Sequence, residues 1–182
     1  PNPTVDFVRE CIDFARAEKV DMFLAVGGGS VIDTAKAAAL GVCYEGDVWD
    51  FFCGKAQPQQ ALPVCTVLTI PAAGSEQSIR TVISNGNVKA GAGNALVRPK
   101  LSIVNPELFF TLPQRQVSAG IIDMMSHIME RYFTNTPGVD YTSAQAEAAL
   151  RVIMRNGLKL MEKIDDYEAW CEGGLAGSFA HN

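Results

Sequence analysis

Apolar residues recur at helical spacing near the start of the chain and then close up into a short continuous run. Residues 4–20 carry the helical pattern, and Thr4 can accept a hydrogen bond at its start. Residues 21–26 predict a short buried strand. Helical spacing resumes after three glycines, and we expect Gly41 to end that second helix. The order helix, strand, glycine turn and helix is typical of an α/β layer.

Three further strands are predicted downstream. They are rich in β-branched residues and lie at residues 63–71, 79–84 and 100–106. Residues 44–60 are predicted as a loop with an aromatic cluster, and residues 85–99 as a glycine-rich excursion between two strands.

The pattern changes at about Phe110. Three helical patterns follow, with no strand between them. We therefore place a boundary there and expect an α/β domain over residues 1–110 and an all-helical domain over residues 111–182.

Charge and cysteine content narrow the class of protein. The 182 residues include 20 acidic and 15 basic side chains, a net charge of −5, and no Lys/Arg cluster, which argues against a nucleic-acid partner. No apolar run reaches the roughly 18–20 residues that span a bilayer, and the first ten residues lack a signal-peptide pattern. The five cysteines show no C-x-x-C spacing. We therefore expect reduced thiols and a cytoplasmic protein without a membrane partner.

The glycine turn is the first candidate site. Gly27, Gly28 and Gly29 separate a predicted strand from a predicted helix, and Ser30 adds a hydroxyl donor. The first amides of a helix have no partner within the helix, so such a turn can bind a phosphate, although it can also be purely structural. The spacing differs from the Rossmann G-x-G-x-x-G because Ile32 stands where the last glycine would be.

Two charged residues follow on the same helix. Asp33 and Lys36 are three residues apart, which fits an exposed surface pair. It equally fits contact between Asp33 and a nucleotide or substrate from the first helical turn.

An aspartate and a histidine form the second candidate site. Asp123 and His127 are spaced i, i+4 in an apolar helical pattern, so they share one face. They could be a hydrogen-bonded structural pair or two ligands of Fe or Zn. A catalytic metal usually takes at least three protein ligands, and the only other histidine is His181.

Four motifs together resemble one family. They are GGGSVIDTAKAAA, TVLTIPAAGSE, NPELFFTLP and AGIIDMMSHIMERYF, in this order along the chain. They closely resemble the iron-containing (group III) alcohol dehydrogenases, and among these the NAD(P)H-dependent butanol dehydrogenases. The resemblance implies a dehydroquinate synthase-like architecture, with an α/β dinucleotide-binding domain followed by an all-helical metal-binding domain. It also implies reversible hydride transfer between a primary alcohol or aldehyde and NAD or NADP, with Fe²⁺ or Zn²⁺ bound.

The resemblance further implies roles for individual residues. The glycine turn would hold the cofactor pyrophosphate, Asn2 would lie against the nucleotide, and Lys89 would be directed at the nicotinamide ribose. The implied cofactor-binding residues are Asn2, Gly27, Gly28, Gly29, Ser30, Asp33, Thr69, Ser75 and Lys89, and the implied metal ligands are Asp123 and His127.

Two parts of the family pattern have no counterpart in this sequence. They are the first strand of the nucleotide fold and two further histidine ligands. We therefore expect an internal piece of a longer, homodimeric enzyme, with weak metal binding and little activity of its own. The alternatives are a non-catalytic nucleotide-binding or assembly module, and a related polyol dehydrogenase of the glycerol type.

Overall fold

The computed structural model describes residues 2–180, which form two compact units. The first unit contains the chain up to Leu68 together with Ser75–Ile103, and the second contains Thr69–Gly74 and the chain from Val104 onward. Strands occur in the first unit, and the second is built from helices. This confirms the predicted order of an α/β part followed by a helical part.

The first unit contains a parallel sheet and a hairpin. Its elements are α1 (Val5–Ala17), β1 (Phe23–Gly27), α2 (Gly29–Val42), α3 (Trp49–Phe52), β2 (Val64–Leu68), β3 (Arg80–Asn85), β4 (Val88–Gly93) and β5 (Leu101–Ile103). The parallel sheet has the order β1-β2-β5, and β3 pairs with β4 in an antiparallel hairpin. Thr4 accepts a hydrogen bond from the Phe7 amide and caps α1, as predicted.

Helix α2 lies at the centre of this unit. It packs against α1, the parallel sheet and β3, and residues 34–41 are buried without interruption. A helix that is apolar on every side is surrounded by other elements, and its alanines let those elements approach closely. The expectation that Gly41 ends the helix is wrong, because α2 continues to Val42. A Cβ at Gly41 would overlap the Ile12 side chain of α1, so this glycine is required for helix packing.

The glycine-rich excursion at residues 85–99 was not expected to contain a strand, and this too is wrong. Val88–Gly93 forms β4, and Gly86, with φ of +56°, occupies the two-residue turn before it. The two turn residues are Gly86 and Asn87, and Gly-Asn between two strands is a hairpin signal. The lysine, alanines and glycines of β4 have low strand propensity, so its own sequence gave no sign of a strand.

The aromatic cluster at residues 44–60 is confirmed. Tyr44 and Phe51 have ring centroids 4.6 Å apart, and Trp49 and Phe52 stack at 5.7 Å. The segment also contains the single turn of α3, which had not been predicted.

The second unit consists of the three predicted helices and a short 3₁₀ helix. They are α4 (Gln114–Tyr132), α5 (Asp140–Glu162), α6 (Tyr167–Ala180) and the 3₁₀ helix Pro106–Phe109. Phe109 packs against Trp170 at 5.2 Å between ring centroids, and Trp170 Nε1 donates to the Ile164 carbonyl at 2.6 Å. Of the helices within residues 2–180, none is long and apolar enough to cross a membrane.

Candidate functional site

The glycine turn joins the carboxyl end of β1 to the start of α2. Strand β1 ends at Gly27, Gly28 is the N-cap of α2, and the helix begins at Gly29. The amide groups of the first helical turn have no partner within the helix, and the helix dipole favours negative charge there. The turn therefore presents the backbone donors that a phosphate site requires.

The reason for the first glycine is close packing. In the structure of residues 2–180, none of the three glycines of the turn has a positive φ, so left-handed backbone does not explain them. A Cβ at Gly27 would lie only 2.6 Å from Val31 Cγ2, in the first turn of α2. A larger residue would therefore separate the helix start from the end of the strand.

Asn2 and Ser30 line one cavity of about 480 Å³ between α1, β1 and α2. The other walls of the cavity are mostly apolar and include Phe7, Cys11 and Leu24. Asn2 and Ser30 are both exposed. These two predicted cofactor residues therefore share a surface that a ligand can reach.

The Asp33 carboxylate is half-buried, and both of its oxygens accept hydrogen bonds. Oδ1 accepts from Ser75 Oγ at 2.7 Å, and Oδ2 accepts from the Val82 amide at 3.0 Å. Burial raises the pKa of Asp33, although these hydrogen bonds and the charges of Lys36 and Lys89 oppose the rise. The alternative of an exposed Asp33–Lys36 surface pair is therefore wrong.

Lys36 is completely buried, which was not anticipated from the sequence. Its Nζ donates to the carbonyls of Ser75 at 2.6 Å, Ser78 at 2.8 Å and Arg80 at 2.9 Å, and to Ser75 Oγ at 3.1 Å. Burial lowers the pKa of Lys36 to about 8, against the attraction of nearby carboxylates. The available signal was a single lysine flanked by alanines on both sides.

The remaining predicted cofactor residues have different surroundings. Ser75 is buried, and its hydroxyl joins Asp33 to Lys36. Lys89 is exposed on β4, close enough for its charge to act on Asp33. Thr69 is half-buried and directly follows β2. The structure therefore groups Asp33, Ser75 and Lys89, and their contacts with a cofactor stay a prediction.

Asp123 and His127 lie one turn apart on α4. His127 Nε2 is 3.7 Å from Asp123 Oδ1, close enough for an ion pair and longer than a normal hydrogen bond. Two donor atoms that each bind a metal at about 2.1 Å can be up to about 4.2 Å apart, so both can reach one ion. The Asp123 side chain is 51% exposed and the His127 side chain is 25% exposed, so an ion in solution can reach both.

A complete metal site needs further ligands. Within residues 2–180, no group of three or more His, Cys, Asp or Glu side chains is placed to hold a metal ion. His181 lies outside the described residues. Among the described residues, Asp123 and His127 are therefore a pair without a third such side chain placed beside them, and their role as metal ligands stays a prediction.

Comparison with known proteins places both units in one family. Residues 1–106 match the iron-containing alcohol dehydrogenases, and residues 117–180 match the C-terminal part of the Fe-containing alcohol dehydrogenase family. The chain is 42% identical over 184 residues to NADH-dependent butanol dehydrogenase A of Clostridium acetobutylicum, covering 100% of this chain and 47% of that protein. It is 32% identical over 173 residues to an NADPH-dependent aldehyde reductase of Escherichia coli, covering 92% and 45%.

A solved structure agrees with these matches. The crystal structure of NADH-dependent butanol dehydrogenase A from Thermotoga maritima has a TM-score of 0.96 and 43% identity, covering 99% of this chain and 46% of that one. The chain thus spans about half the length of the relatives it matches. Since the family matches extend through the glycine turn, Asp123 and His127, the chain belongs to the iron-containing alcohol dehydrogenase family.

Proposed function

We propose that this chain is part of a metal-dependent alcohol dehydrogenase that transfers a hydride reversibly between a primary alcohol or aldehyde and NAD or NADP. The glycine turn is the observation that carries the proposal. It places the amides of α2 at the carboxyl end of a parallel strand, which is where α/β folds bind nucleotides. The names of the relatives support butanol and similar short alcohols as substrates.

The first unit would serve as the dinucleotide-binding domain. Residues 27–30 would hold the pyrophosphate, and Asn2 would contact the nucleotide from the cavity that it shares with Ser30. Exposed Lys89 would reach the nicotinamide ribose as a cationic donor. Thr69 would lie near the adenosine and Ser75 near the pyrophosphate.

The second unit would begin the metal-binding domain. Asp123 and His127 would hold Fe²⁺ or Zn²⁺ together with ligands from outside the described residues. A bound divalent metal acts as a Lewis acid that lowers the pKa of the alcohol and stabilises the alkoxide. In the chain itself, the role of Asp123 and His127 is to present two donors from one face of α4.

A second candidate function is a non-catalytic nucleotide-binding or assembly module. The small number of metal ligands favours it. The described residues offer two, and a divalent ion held by two ligands stays largely hydrated. Both candidates require the dinucleotide to bind, and only the first requires turnover.

The test is a titration of the chain with NADH and NADPH, followed by nucleotide fluorescence. We expect saturable binding, and we expect Ser30→Asp to raise Kd by about tenfold or more, because a carboxylate at the start of α2 repels a pyrophosphate. Thr142→Asp is the matched control, since it adds the same charge to the exposed first turn of α5. This control variant should bind like the unmodified chain.

The two candidates differ in turnover. Butanol, NAD and Fe²⁺ are added to the chain alone, and to the chain mixed with the part of a relative that the chain does not match. This separates cofactor binding from hydride transfer. Binding with no turnover in either setting would favour the module. The absence of saturable binding of either dinucleotide would contradict both candidates.

A further inference from the structure

Residues 75–79, which precede β3, contact α2 and have little regular structure of their own. Ser75–Gln77 form a turn, and Ser75 and Ser78 are each 6% exposed. A buried main-chain carbonyl outside a helix or strand needs a donor, because an unsatisfied carbonyl is costly.

Lys36 supplies that donor from α2. Three carbonyls converge on its single Nζ within 2.9 Å: those of Ser75 and Ser78 in the segment and that of Arg80 at the start of β3. An ammonium carries three donor protons on one small head, which suits this arrangement. The planar, larger guanidinium of arginine does not.

Asp33, which lies one helical turn before Lys36 in α2, also binds this segment. Its carboxylate binds Ser75 and Val82, and its own carbonyl accepts from Thr81 Oγ1 at 2.8 Å. The four acceptors of Lys36 Nζ, which share its three protons, and the three bonds to Asp33 together hold residues 75–82 along the second turn of α2. The glycine turn opens the first turn of the same helix.

We propose that Lys36 is a positioning residue for the dinucleotide site, holding residues 75–80 and the Asp33–Ser75 pair beside the glycine turn. The inference rests on the proposed function. Because Lys36 is fully buried, its proposed role is indirect. It would act through the Ser75 hydroxyl and through the shape of the segment that it holds against the second turn of α2.

A purely structural lysine would also stabilise the fold, so the test must separate affinity from stability. Lys36→Met removes the donor and keeps the length of the side chain. Ile12→Ala is the matched control, because Ile12 is buried in the same unit and packs at Gly41, the opposite end of α2 from the glycine turn. Both variants should lower the stability of the first unit.

The measurements are NADH affinity well below the melting temperature and hydrogen exchange of the amides of residues 75–80. We expect Lys36→Met to raise the Kd for NADH by roughly tenfold or more and to accelerate exchange in this segment. Ile12→Ala should keep the Kd within about twofold and should not accelerate exchange at residues 75–80 more than at the other amides of the first unit. Lys36→Gln retains two donor protons and should raise the Kd by an intermediate factor, which provides a second variant if Lys36→Met does not fold.

The outcomes separate this inference from the proposed function. If the unmodified chain binds NADH and the Lys36 variants bind it as tightly as Ile12→Ala, Lys36 is only structural and the inference fails alone. If the unmodified chain binds neither dinucleotide, the proposed function and the inference fail together. Weaker binding in the Lys36 variants with faster exchange at residues 75–80 supports both.

Discussion

The buried charge of Lys36 makes the stability of the first unit depend on pH. Burial lowers the pKa of Lys36 from 10.5 to about 8, while Asp33 and Glu76 oppose the change. The unfolded chain keeps the ordinary pKa, so between about pH 8 and 10.5 it holds more protons than the folded chain. The contribution of Lys36 to the free energy of unfolding therefore increases as the pH rises through this window.

A comparison with Lys36→Met isolates this contribution. We expect the free energy of unfolding of the unmodified chain, minus that of the variant, to increase by about 2–3 kcal/mol between pH 7 and pH 10. Urea unfolding of both proteins at several pH values measures this difference. The titration of the tyrosines and cysteines cancels in the difference because both proteins contain them. A difference that stays constant or falls with pH would show that Lys36 keeps an ordinary or raised pKa.

The position of Lys36 could not be predicted from the sequence. Its partners are mainly main-chain carbonyls about 40 residues further along the chain, and a carbonyl has no sequence signature. Asp33 was identified because it belongs to a recognisable motif, yet its two hydrogen-bond partners were not. Residue types can be read from sequence, whereas contacts made by the backbone depend on the completed fold.

At the scale of elements, α1 and α2 pack closely where Gly41 has no side chain. A Cβ at Gly41 would overlap Ile12, so Gly41→Ala should lower the free energy of unfolding by about 1–3 kcal/mol. Ile12→Ala alone should cost about 2–5 kcal/mol through the cavity it leaves. The space left by Ile12 accommodates the new methyl group, so the two losses should not add.

A double-mutant cycle tests this. We expect the Gly41→Ala, Ile12→Ala double variant to lose less than the sum of the single variants by about 1 kcal/mol or more, measured by urea unfolding. Additive losses would mean that the two residues do not contact each other as the structure describes.

The two metal ligands proposed on α4, Asp123 and His127, predict weak metal binding by the chain. We expect anaerobic calorimetry with Fe²⁺ to give a Kd of about 1 μM or weaker, because two ligands provide only part of the affinity of a four-ligand site. His127→Ala should weaken binding by about tenfold or more. Asp140→Asn, which removes a carboxylate from the start of α5, is the control and should bind as before. Nanomolar binding, or binding indifferent to His127, would contradict the assignment.

The elements themselves were predictable to different degrees. Strand β1 and helices α4–α6 were predicted because their apolar residues repeat with the period of the element. Strand β4 was missed because it is an exposed edge of a hairpin with little apolar pattern. Its existence depends on pairing with β3, which is a property of two segments together.

At the scale of the whole molecule, one face of the parallel sheet is apolar and exposed. Register aligns Leu24 with Cys65 and Leu101, and Val26 with Val67 and Ile103. The side chains of Leu24, Val26 and Leu101 are 57–59% exposed. Parallel sheets are normally covered on both faces, and exposed apolar patches favour association. Binding experiments on the chain should therefore be accompanied by sedimentation measurements of its oligomeric state.

The most direct test of a metal-dependent dehydrogenase role places this chain in a hybrid with a relative that is about twice as long. Residues 2–180 would replace the matching segment of the Thermotoga maritima enzyme, which shares 43% identity and a TM-score of 0.96, and butanol-dependent NADH formation would be measured with Fe²⁺. We expect the hybrid to be active, and we expect His127→Ala to reduce its rate by about 100-fold or more while Asp140→Asn leaves the rate unchanged. An active hybrid that keeps its rate after His127→Ala would contradict the metal-ligand assignment, and a folded, NADH-binding hybrid without activity would contradict the dehydrogenase proposal.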